Sequence, residues 1–503
     1  MAMSRKTGRV VAAISTISLC AAAPVIMGGS SAAAGHQPVT ITWQLNSLTP
    51  NSPYMKVFNA DIKAYERTHP WVHVKYIVTN TNTNTQQAYL VTEAAGHSVP
   101  DVTWEQYGEV TSGSIPKGIL ADLTPYLMKP DPYVPGNKHW IDLWTKSAIP
   151  YMRGANGQYY LLVGSQVATG IVYNKADFRA AGIKAPPATW AQWLNDMKKL
   201  KAHHFVPLLF ADGGTDNCNS SWYERKFSSE LLHSELSQFD VNHAQVASGL
   251  DTVVAIEKGI ISMNNPAYAE GWKLLGSLRP YLAPGGSTYD ACASLTATSP
   301  PLNPESLFVK GKVAMEWGGS WFLPQLNQLG FAGKYGVFPF PTITKATTKY
   351  SSNINVTGTV GGPNGVGEIA IPTPAADSSM TSYKMSQIIN LLMYLYSPKV
   401  EGGWVANQGQ ESDIPLIIGA KAPSVPGLGS LLPKKFPPVT VEGILDSSVT
   451  TQAASSGIRL VQAYLGGDMS YSQFASQWQT VLTQAAQQWQ QQNHVNVSKY
   501  LKK

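Results

Sequence analysis

The alternation of strand and helix patterns near the start of the chain is the feature that most restricts its fold. Three segments read as strands: VTITWQ (39–44), WVHVKYIV (71–78) and VPDVTWEQ (99–106). Two segments between them read as helices: SPYMKVFNADIKAYERTHP (52–70), which stops at a proline, and the shorter AYLVTEAAG (88–96). This β-α-β-α-β order is typical of a mostly parallel sheet covered by helices, so we expect an α/β fold.

The same alternation returns further along the chain. Strands are predicted at GIVYNKADF (170–178, running into a turn), FVPLLF (205–210), GKVAMEW (311–317) and YGVFPFPT (335–342). Helices are predicted at 189–204, in segments between roughly 220 and 280, at 381–398 and at 469–492. The chain contains no internal repeat and no linker that clearly separates two domains, so any lobes are expected to exchange strands.

Charge excludes one large class of function. Charged residues make up 14% of the 503 residues, well below the usual quarter. The net charge of +6 includes Arg5, Lys6 and Arg9, so the chain after residue 34 carries only +3. A nucleic-acid binder needs a basic stripe for phosphates, and no such stripe is present.

The N-terminus has the three parts of an export signal. A basic segment precedes the apolar run VVAAISTISLCAAAPVIM, and small residues follow, so residues 1–34 are predicted to be a signal peptide. ISLC also resembles a bacterial lipobox, which leaves lipid anchoring at Cys20 as the second reading. No other stretch is long and apolar enough to span a bilayer. We therefore expect an exported protein that is extracellular, at the cell surface or periplasmic.

Two cysteines remain after export, Cys218 and Cys292. Both lie in polar, loop-like sequence, and an oxidising compartment favours disulfides. A Cys218–Cys292 disulfide and two free thiols are both open on these grounds.

Catalytic and cofactor motifs are missing from the sequence. HExxH, GxSxG, CxxC and a Walker lysine loop do not occur, and the SxxK at Ser114–Lys117 lacks its companion motif in the mature chain. Paired carboxylates for sugar hydrolysis have no fixed sequence spacing, so Glu105 with Glu109, or Glu316, are nominal candidates. A surface or hydrogen-bonding role is the better reading of these residues. We expect no enzyme activity, no cofactor and no metal.

Aromatic residues next to glycine or polar residues at strand ends are the positive signal. In open α/β sheets, ligands bind outside the carboxyl ends of the strands, and flat aromatic faces suit sugar rings. The alternative for each tryptophan alone is ordinary core packing. The candidate ligand-binding residues are Trp43, Gln44, Trp104, Glu105, Tyr107, Asp212, Trp222, Trp317, Gly318, Gly319 and Trp321.

Five segments, in order, resemble one known family. They are ERTHPWVHVKY (66–76), AYLVTEAAGHSVPDV (88–102), GILADLTPYL (118–127), the stretch from Gln158 to Trp193 with its Y-N-K, A-G and P-x-T-W, and FVKGKVAMEWGGSWFLPQL (308–326). The chain is similar over residues 38–420 to the extracellular solute-binding proteins of ABC importers, in the sugar-binding branch that includes maltose-type proteins. Met315, Gly319 and Trp321 lie on fixed positions of the last motif.

The resemblance implies a two-lobed periplasmic-binding-protein fold of type II, in which each lobe is a mostly parallel sheet with flanking helices. It implies a cleft between lobe 1 (38–164 and 340–398) and lobe 2 (165–339 and 399–503). In the family, the loop with G-x-W lines the cleft. Gly318 and Gly319 would then let the backbone approach the ligand, and Trp321 would begin a helix and offer its ring.

The resemblance also implies the function. The expected protein is a monomer that captures a mono- or oligosaccharide between its lobes and delivers it to a membrane permease. One alternative is the same role for a non-sugar solute such as a peptide, polyamine or glycerophosphodiester. The other is an extracellular carbohydrate-active enzyme, which would need two carboxylates facing each other across the cleft.

Overall fold

The computed structural model describes residues 36–501 with internal gaps. The gaps are 47–52, 80, 82–84, 106, 113–114, 116–117, 155, 215–217, 242, 244–245, 248, 294–296, 355, 357–361, 363–367, 407–412, 432–439 and 447. The predicted signal peptide, with Cys20, and the residues Ser114 and Lys117 lie outside the described residues. All contacts reported below lie within the compact unit formed by residues 38–503.

Twelve strands lie in the described part of the chain. They are β1 (Val39–Asn46), β2 (Val72–Thr79), β3 (Thr103–Trp104), β4 (Leu162–Val163), β5 (Ser165–Gln166), β6 (Thr169–Asn174), β7 (Val246–Ala247), β8 (Met315–Gly319), β9 (Tyr335–Phe338), β10 (Glu368–Ala370), β11 (Ile414–Pro415) and β12 (Thr440–Val441).

Helices alternate with these strands over most of the chain. The α-helices are α1 (Pro53–Thr68), α2 (Gln86–Ala95), α3 (Tyr107–Ser112), α4 (Thr124–Leu127), α5 (Ile149–Met152), α6 (Lys175–Ala180), α7 (Trp190–Ala202), α8 (Cys218–Leu231), α9 (Leu250–Glu257), α10 (Pro266–Gly276), α11 (Glu305–Val309), α12 (Phe322–Gln328), α13 (Ser382–Leu395), α14 (Pro398–Ala406), α15 (Leu428–Leu431), α16 (Thr451–Gly466), α17 (Tyr471–Gln492) and α18 (Ser498–Leu501). None of these described helices has the length and apolar character needed to cross a bilayer.

The predicted β-α-β-α-β opening is confirmed. β1 pairs with β2 in parallel along its whole length, from Val39 opposite Val72 to Asn46 opposite Thr79. A parallel bridge from Trp43 to Val102 adds the third predicted strand, of which only two residues become the regular strand β3. The α/β arrangement of the N-terminal part of the chain therefore follows from its sequence pattern of alternating strands and helices.

Two predicted helices owe their start to a capping box. At the start of α7, the Thr189 hydroxyl accepts a hydrogen bond from the N–H of Gln192, and the Gln192 side chain accepts one from the N–H of Thr189. Ser470 and Gln473 form the same reciprocal pair at the start of α17. Each box satisfies two backbone donors that the first helical turn leaves without partners.

The strand prediction is wrong in two places. FVPLLF does not form a regular strand; Leu208 and Leu209 make only isolated parallel bridges, because Pro207 between Val206 and Leu208 has no N–H to give a ladder. The sheet β8-β6-β9 is antiparallel throughout, whereas β1 with β2 and β7 with β12 pair in parallel, so the expected mostly parallel sheets form only in part. β6 lies between β8 and β9 and runs opposite to both, so β8 and β9, which are joined through α12, point in the same direction.

Buried side chains form three clusters. The first core comes mainly from residues 39–163 and 369–417, the second core from 171–356 and 441–497, and a small third core from 168–172, 209, 308–337 and 414–431. β4 and β5 lie between these clusters, where β4 pairs with β10 and β5 with β11. The predicted boundaries of the two lobes stay a prediction.

Helix α8 is buried along its whole length in the second core. All 14 of its residues are buried, although CNSSWYERKFSSEL contains four charged side chains. Buried charges are costly unless they are paired and hydrogen-bonded. The helix can therefore occupy this position only because Glu224, Arg225, Lys226 and Glu230 find partners on neighbouring segments, as described below.

Two buried carboxyl groups lie together beside the third core. Glu316 of β8 and Glu305 of α11 are each 1% exposed, and neither Oε atom of Glu316 has a partner among the described residues. Burial, followed by the charge of Glu305, raises the pKa of Glu316 well above its ordinary value. Burial raises the pKa of Glu305 from 4.5 to about 8. Both groups are therefore expected to keep their protons at neutral pH.

We predict that the stability of Glu316→Gln relative to wild type is greater at pH 8 than at pH 4. A carboxyl whose pKa is raised in the folded state stays neutral while the unfolded chain ionises. For each such carboxyl, the free energy of unfolding therefore falls by up to about 1.4 kcal/mol per pH unit above pH 4.5. The amide cannot ionise and removes this slope. Urea unfolding at pH 4, 6 and 8 measures the effect.

Glu257→Gln is the matched control, because Glu257 is exposed on α9. It should leave the pH dependence of stability unchanged. A Glu316→Gln variant whose stability runs parallel to wild type from pH 4 to pH 8 would contradict the burial argument.

Candidate functional site

Three of the predicted tryptophans come together on one side of the second core. The ring of Trp222 on α8 lies 5.5 Å from that of Trp317 and 5.8 Å from that of Trp321, measured between centroids. Trp317 also contacts Phe340 at 4.1 Å. Trp222 and Trp317 are 5% and 1% exposed, whereas Trp321 is only partly buried and packs against both the second and the third core. Trp321 is thus the member of this aromatic cluster that stays partly exposed.

The two glycines that end β8 make room for aromatic rings of their own chain. A Cβ at Gly319 would lie 2.0 Å from the Trp321 ring, and one at Gly318 would lie 2.5 Å from the Phe322 ring. Trp321 directly precedes α12, as the sequence predicts. The close backbone approach that the sequence assigns to a ligand is therefore made by Trp321 and Phe322, which glycine allows to fold back onto β8.

The side chain of Asn219 connects the aromatic cluster to the neighbouring backbone through hydrogen bonds. Its side-chain amide donates to the carbonyl of Trp317 at 2.9 Å, and its side-chain oxygen accepts from the N–H of Ala211 at 2.9 Å. Both bonds are buried. Asn219 therefore locks the first turn of α8 to the end of β8 and to the loop that carries Asp212.

Asp212 is a buried carboxyl beside this cluster. It is 3% exposed, and its Oδ1 has no partner among the described residues. Burial raises the pKa of Asp212 from 3.8 to about 7. Its backbone carbonyl accepts from Gln462 at 2.6 Å, which fixes the loop at Asp212. Near neutral pH this group can donate or accept a hydrogen bond.

A disulfide joins Cys218 and Cys292 in the structure, with their Cα atoms 6.0 Å apart. It connects the start of α8 to the segment at Asp290, whose carboxylate accepts from the N–H of Cys292 at 3.0 Å. Asp290 also lies beside both sulfur atoms, but cysteines joined in a disulfide offer no thiolate to a metal. The bond thus holds the Asp212 loop next to the Asp290 loop, where Gly213 donates to the Tyr289 carbonyl at 2.7 Å.

The side chain of Gln44 connects elements of the first core through hydrogen bonds. Its amide donates to Thr79 at 2.9 Å and to Gln86 at 3.0 Å, and its oxygen accepts from the Thr103 hydroxyl at 2.6 Å and the N–H of Trp104 at 3.1 Å. These bonds tie β1 to β2, α2 and β3. The hydrogen-bonding capacity of Gln44 is already used within the protein.

The other candidates from the first core are also buried. Trp43 is 5% exposed and meets Phe58 edge-on at 5.2 Å, which is ordinary core packing. Trp104 is 7% exposed, and its indole N–H has no acceptor among the described residues. Glu105 is fully buried. Of these three, Trp104 retains a free donor that a bound molecule can use.

Tyr107 connects the first core to α8. Its hydroxyl accepts from Nη2 of Arg225 at 2.9 Å and donates to Oε2 of Glu442 at 3.2 Å. Arg225 itself is paired with Glu442 at 2.6 Å and with Asp446 at 3.1 Å. Sequence reasoning missed Arg225, Glu442 and Asn219, because their partners lie far away along the chain. The only sequence signal was the unusual charge density of WYERKF next to a candidate tryptophan.

The family model of bacterial extracellular solute-binding proteins matches residues 48–291. Over these residues the chain is similar to this family, which agrees with the resemblance found in the sequence. No curated protein sequence matches the chain.

Solved structures of the same fold cover nearly the whole chain. A chitin oligosaccharide binding protein is 18% identical, with a TM-score of 0.59 over 90% of this chain and 99% of that one. A family 1 extracellular solute-binding protein from Bifidobacterium longum subsp. infantis is 17% identical, with a TM-score of 0.58 over 89% and 100%. A cyclic alpha-maltosyl-1,6-maltose binding protein from Arthrobacter globiformis is 15% identical, with a TM-score of 0.59 over 90% and 100%.

These likenesses confirm the fold class predicted from the sequence, a periplasmic-binding-protein fold of the α/β type. The solute-binding family is extracellular, which agrees with the predicted export. Among the described residues, Trp321 has a partly exposed ring, and Oδ1 of Asp212 and the indole N–H of Trp104 have no hydrogen-bond partner.

We predict that replacing both cysteines, Cys218→Ser with Cys292→Ser, lowers the free energy of unfolding by about 4 kcal/mol. A disulfide that closes a loop of this length removes about that much chain entropy from the unfolded state. The sequence separation of the two cysteines is 74. Guanidinium unfolding of the oxidised protein measures the loss.

Reductant provides the matching control for this variant. It should lower the stability of wild type to that of the double serine variant and leave the variant itself unchanged. A wild-type protein whose unfolding is insensitive to reductant would contradict a stabilising disulfide.

Proposed function

We propose that this extracellular solute-binding protein captures a mono- or oligosaccharide and delivers it to the permease of an ABC importer. The observation that carries the proposal is the aromatic cluster of Trp222, Trp317 and Trp321, in which the Trp321 ring stays partly exposed. An aromatic ring suits the apolar side of a sugar ring. Asp212 and the Trp104 N–H are buried polar groups that could bond sugar hydroxyls.

Relatives of the fold support the same solute class. Two of them are a chitin oligosaccharide binding protein and a cyclic alpha-maltosyl-1,6-maltose binding protein. Both names describe oligosaccharide ligands of those proteins. At 15–18% identity they support the solute class, whereas the identity of this chain's sugar rests on experiment.

We infer that the protein acts by binding and without chemistry. Ligand contacts stabilise one arrangement of the lobes, because a ligand shifts an equilibrium only by its difference in affinity for the two states. The permease then recognises that arrangement. A non-sugar solute, and a carbohydrate-active enzyme with two facing carboxylates, are the alternatives that the following experiment separates from this proposal.

Binding is tested with a thermal-shift screen of the exported protein. The panel holds chitin oligosaccharides, maltose-type oligosaccharides, raffinose and galactose, with peptides, polyamines and glycerophosphodiesters as controls. A saccharide that binds only the folded state adds about 2.7 kcal/mol of stability at a hundred times its Kd. A shift with a control solute and none with any saccharide would overturn the sugar proposal, and saccharide consumption on incubation would indicate an enzyme.

We predict that Trp321→Ala weakens saccharide binding at least tenfold, because the partly exposed aromatic ring is lost. Gly319→Ala should also weaken binding, because a Cβ there occupies the space of the Trp321 ring and must displace it. Isothermal titration of both variants with the saccharide that gives the largest thermal shift measures the effect.

Trp71→Ala is the matched control for this prediction. Trp71 is likewise partly buried, but it packs on the first core and its indole donates to Gln387 at 2.9 Å. Its loss should leave saccharide affinity unchanged. If Trp321→Ala binds saccharide as tightly as Trp71→Ala, the aromatic cluster is structural and the site lies elsewhere.

A further inference from the structure

One tyrosine of the first core is bonded to two charged groups of the second core. Tyr107 packs edge-on against Tyr151 with ring centroids 4.8 Å apart, and its N–H donates to Glu368 at 3.0 Å. These contacts anchor Tyr107 to the first core. Its hydroxyl accepts from Arg225 Nη2 at 2.9 Å and donates to Glu442 Oε2 at 3.2 Å.

The two charged groups are held firmly within the second core. Arg225 and Glu442 are 4% and 2% exposed, and their side chains meet at 2.6 Å. Nε and Nη2 of Arg225 also approach Asp446 at 3.3 and 3.1 Å. Because the arginine and the carboxylate are fixed in this way, their bonds to Tyr107 exist only while α3 lies against α8 and the residues after β12.

Helix α8 couples this contact to the aromatic cluster. Trp222 precedes Arg225 by three residues, so both side chains lie on the same side of the helix. Trp222 touches Trp317 and Trp321. A contact that fixes Arg225 relative to the first core therefore also fixes the position of the cluster relative to the first core.

We propose that Tyr107, Arg225 and Glu442 form a clasp between the two cores that sets the affinity for the solute without touching it. This inference rests on the proposed function, in which the solute binds the arrangement that brings the cores together. The three residues are positioning residues. Hydrogen bonds to charged groups are among the stronger ones, and solute affinity falls in proportion to the fraction of protein in the binding-competent arrangement.

Tyr107→Phe is the direct test, because it keeps the ring against Tyr151 and removes only the hydroxyl. Two measurements on the exported protein are needed. Small-angle X-ray scattering without saccharide should give a larger radius of gyration for the variant than for wild type. Isothermal titration with the chitin, maltose-type, raffinose and galactose panel should give a Kd about tenfold weaker for whichever saccharide binds wild type.

The two measurements separate the clasp from the proposed function. If no saccharide binds either protein, the proposed function fails, and the scattering comparison still decides whether the clasp exists. Scattering curves that coincide for wild type and Tyr107→Phe overturn the clasp. Tyr76→Phe is the matched control, because the buried Tyr76 hydroxyl of β2 has no partner among the described residues. Its loss should change neither measurement.

A double-mutant cycle with Glu442→Gln distinguishes the clasp from direct contact with saccharide. Nη1 of Arg225 and Oε1 of Glu442 have no partner among the described residues, so a bound hydroxyl could in principle use them. If Tyr107 acts through Glu442, the losses of affinity in the two single variants do not add in the double variant. Additive losses would mean independent contacts and would overturn the clasp. If Glu442→Gln does not fold, the scattering result for Tyr107→Phe decides alone.

Discussion

The burial of α8 is the constraint on which the rest of the second core depends. A helix with four charged side chains and no exposed residue is stable only if every charge has a partner. Glu224 accepts from the Tyr268 hydroxyl at 3.0 Å and from the N–H of Leu445 at 2.9 Å. Lys226 pairs with Glu230 and lies 5.2 Å from the centre of the Phe340 ring.

These partners come from segments far apart along the chain, so α8 determines where each of them lies. Glu230 also accepts from the N–H groups of Ile343 and Val356, which draws the segment after β9 against the helix. Ser229 donates to the Arg225 carbonyl and accepts from the N–H of Val441, which positions β12. Removing one member of such a buried pair costs far more than an exposed ion pair would contribute. The aromatic cluster and the clasp are both built on this helix, so their geometry is fixed by the same set of bonds.

Local patterns predict most of the helices and strands but not the partners of buried polar groups. The β1-α1-β2-α2 opening, α7, α13 and α17 follow from apolar spacing and capping residues, and the ordered motifs identified the family. Gln44 and Arg225 show where this reasoning stops. Arg225 lies 118 residues from Tyr107 and 221 from Asp446, and no local signal reports such pairs. Trp43 is a candidate in the sequence because a tryptophan at a strand end has the same local pattern whether it faces a ligand or a core residue such as Phe58. The prediction lists Trp222, Trp317 and Trp321 in one ligand site, and their rings are neighbours in the structure. The room at Gly319 that the prediction assigns to a ligand is filled by Trp321 itself.

The shortness of β4 and β5, which lie between the first and second cores, is what makes a clasp of three side chains consequential. β4 and β5 contain two residues each, so the paired backbone between the cores contributes few hydrogen bonds. Domains joined without a large apolar interface are expected to move relative to one another. In that situation two hydrogen bonds to charged groups are comparable in free energy with the 1–3 kcal/mol by which ligands typically couple two states. A solute and the clasp then act on the same equilibrium with similar strength, so that affinity can be tuned at Tyr107 without altering any residue that touches the solute.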